Sequence, residues 1–188
     1  MILILNVKAR KQRFAWGITG SGHEMVDIFN IVKYFSIKNR DIDIRAFVSN
    51  SGHYVLSKYN LDAELEKTFK VKIESSPNIP FLAGELQSKK YDFLLVAPTS
   101  SNSTAKIALG IGDTLITNSV NMAVKAKVPV YVYPCEVFPQ VTLLPDGERL
   151  ELIQRKIDRK HIDAIEKDEG IQVIHRKEEI AEILNSHY

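Results

Sequence analysis

The stretch KYDFLLVAP, residues 90–98, carries five apolar residues in a row and closes on Pro98. A strand that is apolar at consecutive positions has to be covered on both faces, which suits the centre of a parallel sheet. The rest of the chain supplies its neighbours. RFAWGI (13–18) reads as a second buried strand, and residues 23–39 set Met25, Ile28, Phe29, Val32 and Phe35 at helical spacing. DIDIRAFVS alternates Ile42, Ile44, Ala46 and Val48 as a strand, and residues 51–69 read as one helix or two short ones. STAKIALGI and SVNMAVKAK follow as helices, then VPVYVYP as a strand closed by Pro134. RLELIQR, a helix over DRKHIDAIEKDE stopped by Gly170, IQVIH and KEEIAEIL repeat the rhythm over 149–188. Alternation of this kind specifies an α/β fold with helices on both faces of a doubly wound parallel sheet, Rossmann-like with flavodoxin-type layers. No linker or repeat interrupts it, so residues 1–188 are expected to form a single domain. Within it, 1–12 is an N-terminal extension and 149–188 a βαβα tail.

The first strand runs into Gly17-Ile18-Thr19-Gly20-Ser21-Gly22 ahead of the first helix. Glycine permits positive φ and close backbone approach, and a helix start presents free N–H groups with a partial positive charge. Together they favour an anion, most often a phosphate. The alternative is a tight strand-to-helix connection that needs small residues only to turn. The order G-x-x-G-x-G meets neither the dinucleotide fingerprint G-x-G-x-x-G nor the triphosphate loop G-x-x-x-x-G-K-[ST]. With no Lys after the last glycine, Thr19 and Ser21 have to act as donors, which suits a small phosphomonoester.

Ligands of such folds lie beyond the carboxyl ends of the strands, and two further strand ends carry polar side chains. One is Ser49-Asn50-Ser51-Gly52. The other is residues 99–104, where Thr99, Ser100, Ser101, Asn102, Ser103 and Thr104 precede a helix. A helix cap needs one such residue, not six, so a ligand is the better explanation.

Charge and cysteine usage remove several classes. The net charge of +2 is spread along the chain, which argues against nucleic acid and membrane surfaces as partners. The single cysteine, Cys135, excludes an intrachain disulfide and a cysteine-ligated cluster within one chain, and beside Pro134 it reads as packing. The five histidines show no ligand spacing, so no metal site is expected. MILILNV is too short for a membrane span or a signal segment, and a cytoplasmic protein is expected.

GITGS after the first strand, a Ser at the end of the second, and APTSSNSTAKIALGIGDTL after a later one resemble the flavoprotein family of homo-oligomeric FMN-binding decarboxylases and their relatives. That family carries G-x-[ST]-G-[SA], and P-A-S-A-N-T followed by A-K-x-A-x-G-x-x-D-[NT]-L. The match takes in Pro98, Asn102, Thr104, Ala105, Lys106, Ala108, Gly110, Asp113, Thr114 and Leu115 and extends over about residues 13–134. Within the family, IPFLAGELQ and DTLITNSV…KAKVPVYVYP are most similar to archaeal flavoproteins and acceptor-type dihydromethanopterin reductases. The resemblance implies FMN as cofactor. Thr19, Gly20 and Ser21 would line its phosphate and ribityl end, with Ser49 and Thr104 as further phosphate donors. Pro98, Thr99, Ser101 and Asn102 would run under the flavin edge, with Asn102 on its polar rim, and Thr117 and Asn118 are additional candidates. A homo-oligomer is also implied, a trimer or a multiple of trimers. Its apolar contact face is expected around Trp16, Phe81 and Leu82.

The departures from the pattern bear on activity. Decarboxylating members carry a catalytic His where this chain has Asn78, and P-x-M-N-x-x-M where it has Pro134-Cys135-Glu136-Val137-Phe138. An Asn cannot act as acid or base near neutral pH, and a Glu repels a substrate carboxylate. The expectation is therefore a redox flavoprotein, an oxidoreductase that takes electrons from a ferredoxin-like carrier. A small acceptor would receive them, with dihydromethanopterin the pterin that the relatives imply. An FMN-dependent decarboxylase or prenyltransferase-like enzyme, and a flavin-binding protein without turnover, stay open beside it. No catalytic residue is assigned.

Overall fold

Strand β1 (Arg13–Ile18) lies between β2 (Asp43–Val48) and β4 (Phe93–Thr99), and every pairing around it is parallel. The computed structural model describes residues 11–137 and 140–188, so the expected extension over 1–12 falls outside the described residues from 1 to 10. Among those described, β3 (Lys70–Ile73), β5 (Val130–Pro134) and β8 (Ile171–Val173) complete a six-stranded sheet in the order β3-β2-β1-β4-β5-β8. The chain winds outward through β1, β2 and β3, then returns to the other side of β1 for β4, β5 and β8. The fold is the expected doubly wound α/β sheet.

The pleat sorts the side chains of each strand. Phe14, Trp16 and Ile18 of β1 and Phe93, Leu95 and Ala97 of β4 face one layer, built from α1 (Met25–Lys38), α2 (Asn50–Lys58), α3 (Asp62–Thr68) and α8 (Glu178–Ser186). Ala15, Leu94 and Val96 face the other, built from α4 (Leu82–Gln87), α5 (Ser101–Ala108), α6 (Leu115–Lys125) and α7 (Lys156–Ile165). All seven residues of β4 are buried. It runs through Pro98 to Thr99, with a register shift against β5 where the proline lacks an N–H.

Some local readings change. Residues 51–69 form two helices, with Asn60 at φ 55 between them. The DTL stretch leads into α6. Thr114 caps that helix, and Thr117 returns the bond to complete a capping box. The edge strand β3 alternates as a strand should, but at four residues, KVKI, it is too short to stand out in the sequence. RLELIQR forms β7 (Arg149–Leu152), which pairs antiparallel with β6 (Gln140–Leu143) in a separate hairpin and does not join the parallel sheet. Pro145-Asp146-Gly147 between two alternating runs is the signal for that hairpin, and Gly147 takes φ 89 in the turn. Trp16 and Leu82 are fully buried in their own chain, so of the expected contact face only Phe81 is exposed, at 68%. Trp16 is fixed there by an indole N–H that donates to the Ala97 carbonyl at 2.7 Å.

Candidate functional site

The winding order reverses between β1 and β4, so their carboxyl ends part and leave a crevice there. Thr19 holds its two lips together. Its backbone N–H and its hydroxyl both donate to the Pro98 carbonyl, at 3.2 and 3.0 Å, and its oxygen accepts from the Ser100 N–H at 2.7 Å. Glycine works here through contact. A Cβ on Gly20 would lie 2.6 Å from the Ser51 Cβ, so this glycine lets α2 pack against the β1 loop. The left-handed residue of the segment is Glu24, at φ 51, held by the Tyr133 hydroxyl at 2.5 Å and by Lys177 at 3.0 Å.

Two hollows open at the crevice and share Gly20 and Ser100. The first, about 380 Å³, is lined by Thr19, Ser49, Ser51, Asn102, Ser103, Thr114 and Glu74 among others. Its walls are the starts of three helices. Ser49 caps α2 by accepting from Gly52 N–H, and Ser100 caps α5 by accepting from Ser103 N–H. Glu74 was not singled out in the sequence, where a lone Glu in a loop carries no signal. It accepts from Asn50 N–H of α2 at 3.1 Å and from Leu115 N–H of α6 at 2.6 Å. A carboxylate thus already occupies two of the three positive helix ends. The start of α5 is the one it leaves for another anion.

The second hollow, about 270 Å³, is lined by Ser21, His23, Tyr59, Ser101, Cys135, Glu136 and the hairpin residues Thr142, Leu144, Leu150 and Leu152. The β6–β7 hairpin covers it through two bonds. The Tyr59 hydroxyl donates to the Leu143 carbonyl at 2.8 Å, and His23 Nδ1 lies 3.2 Å from Thr142 Oγ1. Burial pushes the Cys135 thiol up to about 11, against bonds from Ser21 and Ser101 that lower it, so it is a poor nucleophile at neutral pH. Burial also raises the Glu136 carboxyl above the ordinary carboxylate value, with the Ser101 bond opposing.

The expected site residues therefore separate. Thr19, Gly20, Ser49 and Asn102 border the first hollow, and Gly20, Ser21 and Ser101 the second. Pro98 lies within β4 with its carbonyl on Thr19. Thr99, Thr104 and Thr117 are buried, with hydroxyls bonded to Val96 O, Ser100 O and Thr114. Asn118 donates to Pro77 O at 3.1 Å and Asn78 Oδ1 at 3.0 Å, tying α6 to the 74–80 loop. A larger hollow, about 620 Å³, lies at the opposite end of β5 and β8, where Lys127, Asp168 and Gly170 offer no comparable cradle of hydroxyls. Among the described residues, no helix is long and apolar enough to cross a membrane.

The chain is similar to several known proteins. An uncharacterized protein of Methanocaldococcus jannaschii is 41% identical over 93% of this chain and 95% of its own length. The acceptor-type dihydromethanopterin reductase of Methanosarcina mazei is 34% identical over 79% of this chain, which spans 62% of that enzyme. The crystal structure of Burkholderia xenovorans DmrB in complex with FMN, a cubic protein cage for redox transfer, superposes with a TM-score of 0.83. It is 29% identical, over 95% of this chain and 96% of that one. The family model named Flavoprotein matches residues 3–186. The chain belongs to the Flavoprotein family.

Proposed function

We propose that the chain binds FMN across the β1–β4 crevice and works as a redox flavoprotein. It would pass electrons from a ferredoxin-like donor to a small acceptor of the pterin class. The observation that carries this is the pair of hollows that share Gly20 and Ser100 at the switch point, one lined by hydroxyls and helix starts, the other largely by apolar side chains. The donor set fits a phosphomonoester. Ser49, Ser51, Asn102 and Ser103 line the first hollow, and the capping of Ser103 leaves the first N–H groups of α5 to meet the phosphate. Glu74 turns the phosphate away from α2 and α6 by like charge, which fixes its place at α5. Thr19, Thr99, Thr104 and Thr117 frame the site through their internal bonds, and Pro98 holds Thr19 through its carbonyl. FMN, when bound, supplies the electron chemistry. Ser101 and the β6–β7 hairpin would hold the ring, and Tyr59, Leu150 and Leu152 would keep water from the acceptor side.

The reductase relative and the FMN-bound cage support the cofactor, the acceptor class and a homo-oligomeric assembly of this chain. The absorption spectrum of the purified protein, with chromatography of the acid-released flavin, tests the cofactor. FMN at about one per chain is expected, and FAD or no flavin would overturn the reading. Anaerobic oxidation of the reduced protein by a dihydropterin then tests the acceptor.

A further inference from the structure

We propose that Glu136 selects the acceptor, its carboxylate accepting from two adjacent N–H donors on a 2-amino-4-oxo pteridine ring. This rests on the second hollow being the acceptor side of the flavin. Glu136 lies two residues past the end of β5 and lines that hollow together with Tyr59, Leu144, Leu150 and Leu152. Its Oε2 is buried and has no hydrogen-bond partner. A carboxylate oxygen in that state is expensive, and an orphaned acceptor on a residue that lines a hollow marks where a donor belongs. The nearby cation does not serve it. Arg155 gives Nε and Nη2 to Asp158, at 2.7 and 2.6 Å, and that carboxylate is itself buried. The backbone around Glu136 is fixed independently, because Gln154 Nε2 donates to the carbonyls of Glu136 and Val137.

The chemistry of the two rings decides which one Glu136 reads. The pyrimidine edge of a flavin presents a single N–H between two carbonyl oxygens, and a carboxylate set against it meets repulsion on either side of one bond. A 2-amino-4-oxo pteridine presents its N3–H beside the 2-amino group, two donors at the spacing of the two carboxylate oxygens. The raised carboxyl of Glu136 fits this assignment, since two N–H bonds offset the cost of ionising it in a buried place.

The test is an anaerobic titration of the FMN-loaded protein, followed by flavin absorbance, with 7,8-dihydropterin and with its 2,4-dioxo analogue, dihydrolumazine. The wild type is expected to bind the pterin at least about tenfold more tightly. Glu136→Gln, which offers one acceptor and one donor, should weaken pterin binding by about 10–100-fold and bring the two ligands level, with FMN content unchanged and the melting temperature equal or higher. Glu136→Asp, which keeps the charge but draws it back, should retain part of the preference. A wild type that binds both rings equally, or a Glu136→Gln protein that keeps the preference, overturns the assignment of Glu136 alone. A wild type that binds neither ring overturns the acceptor reading and this proposal together.

Discussion

Thr19 shows how a residue type can be legible while its task is not. A hydroxyl after a glycine-flanked strand end is a fair candidate for a phosphate ligand, yet this one is 2% exposed and bonded to both Pro98 and Ser100. Thr19→Val keeps the shape and the backbone bond to the Pro98 carbonyl but removes the hydroxyl bridge, leaving the part-buried Ser100 N–H without its partner. A loss of about 1–3 kcal/mol is expected, read as a lower urea midpoint with an unchanged slope. Cys135 was read as packing from its neighbours alone, and its burial agrees. With its thiol near 11, the thiolate fraction at pH 8 is on the order of 10⁻³. A disulfide reagent should then label the native protein at pH 8 far more slowly than the urea-unfolded chain. The folded value lies above the ordinary thiol value of 9.0, so the stability it contributes is full below pH 9 and is lost as pH climbs through about 11. A flat stability profile across that window would remove this coupling.

Among the elements, the starts of α2, α5 and α6 meet at one place and are not equivalent. Ser49, Ser100 and Thr114 cap all three as their sequences suggest. Glu74, from the loop after β3, adds a carboxylate to α2 and α6 only. Glu74→Ala should release both N–H groups and cost roughly 1–2 kcal/mol in chemical denaturation. An unchanged midpoint would mean that water replaces the carboxylate at no cost. A cap is a local feature, because Ser and Thr act on the next three residues of the same chain, although in the sequence only residues 99–104 were weighed as one. Glu74 carries no local signal, because its partners lie 24 and 41 residues away. The same holds for the hairpin over the second hollow. Its turn is written in Pro145-Asp146-Gly147, but where it lies depends on Tyr59 and His23 from distant elements.

At the scale of the whole molecule, the loop between β3 and α4 leaves Ile79 60% and Phe81 68% exposed, beside an α4 whose other apolar residues are buried. Exposed large side chains of this kind suit a contact between copies. If they form it, Phe81→Asp should lower the mass seen by light scattering from a multiple of 21.3 kDa toward one chain. An unchanged mass would assign the contact to another surface. The sequence by itself determined the layered parallel sheet. Strands such as Phe93–Thr99, buried at every position, and helices with one apolar face can be covered in few other ways. It also placed polar residues at the carboxyl ends of β1, β2 and β4, since each follows its strand directly. Only the tertiary structure decided which of those hydroxyls face a hollow and which are spent inside. It also decided that Trp16 and Leu82 close the core rather than a subunit contact. Local pattern fixes the period of burial along an element, whereas the partner of a given side chain depends on segments brought together only when the chain folds.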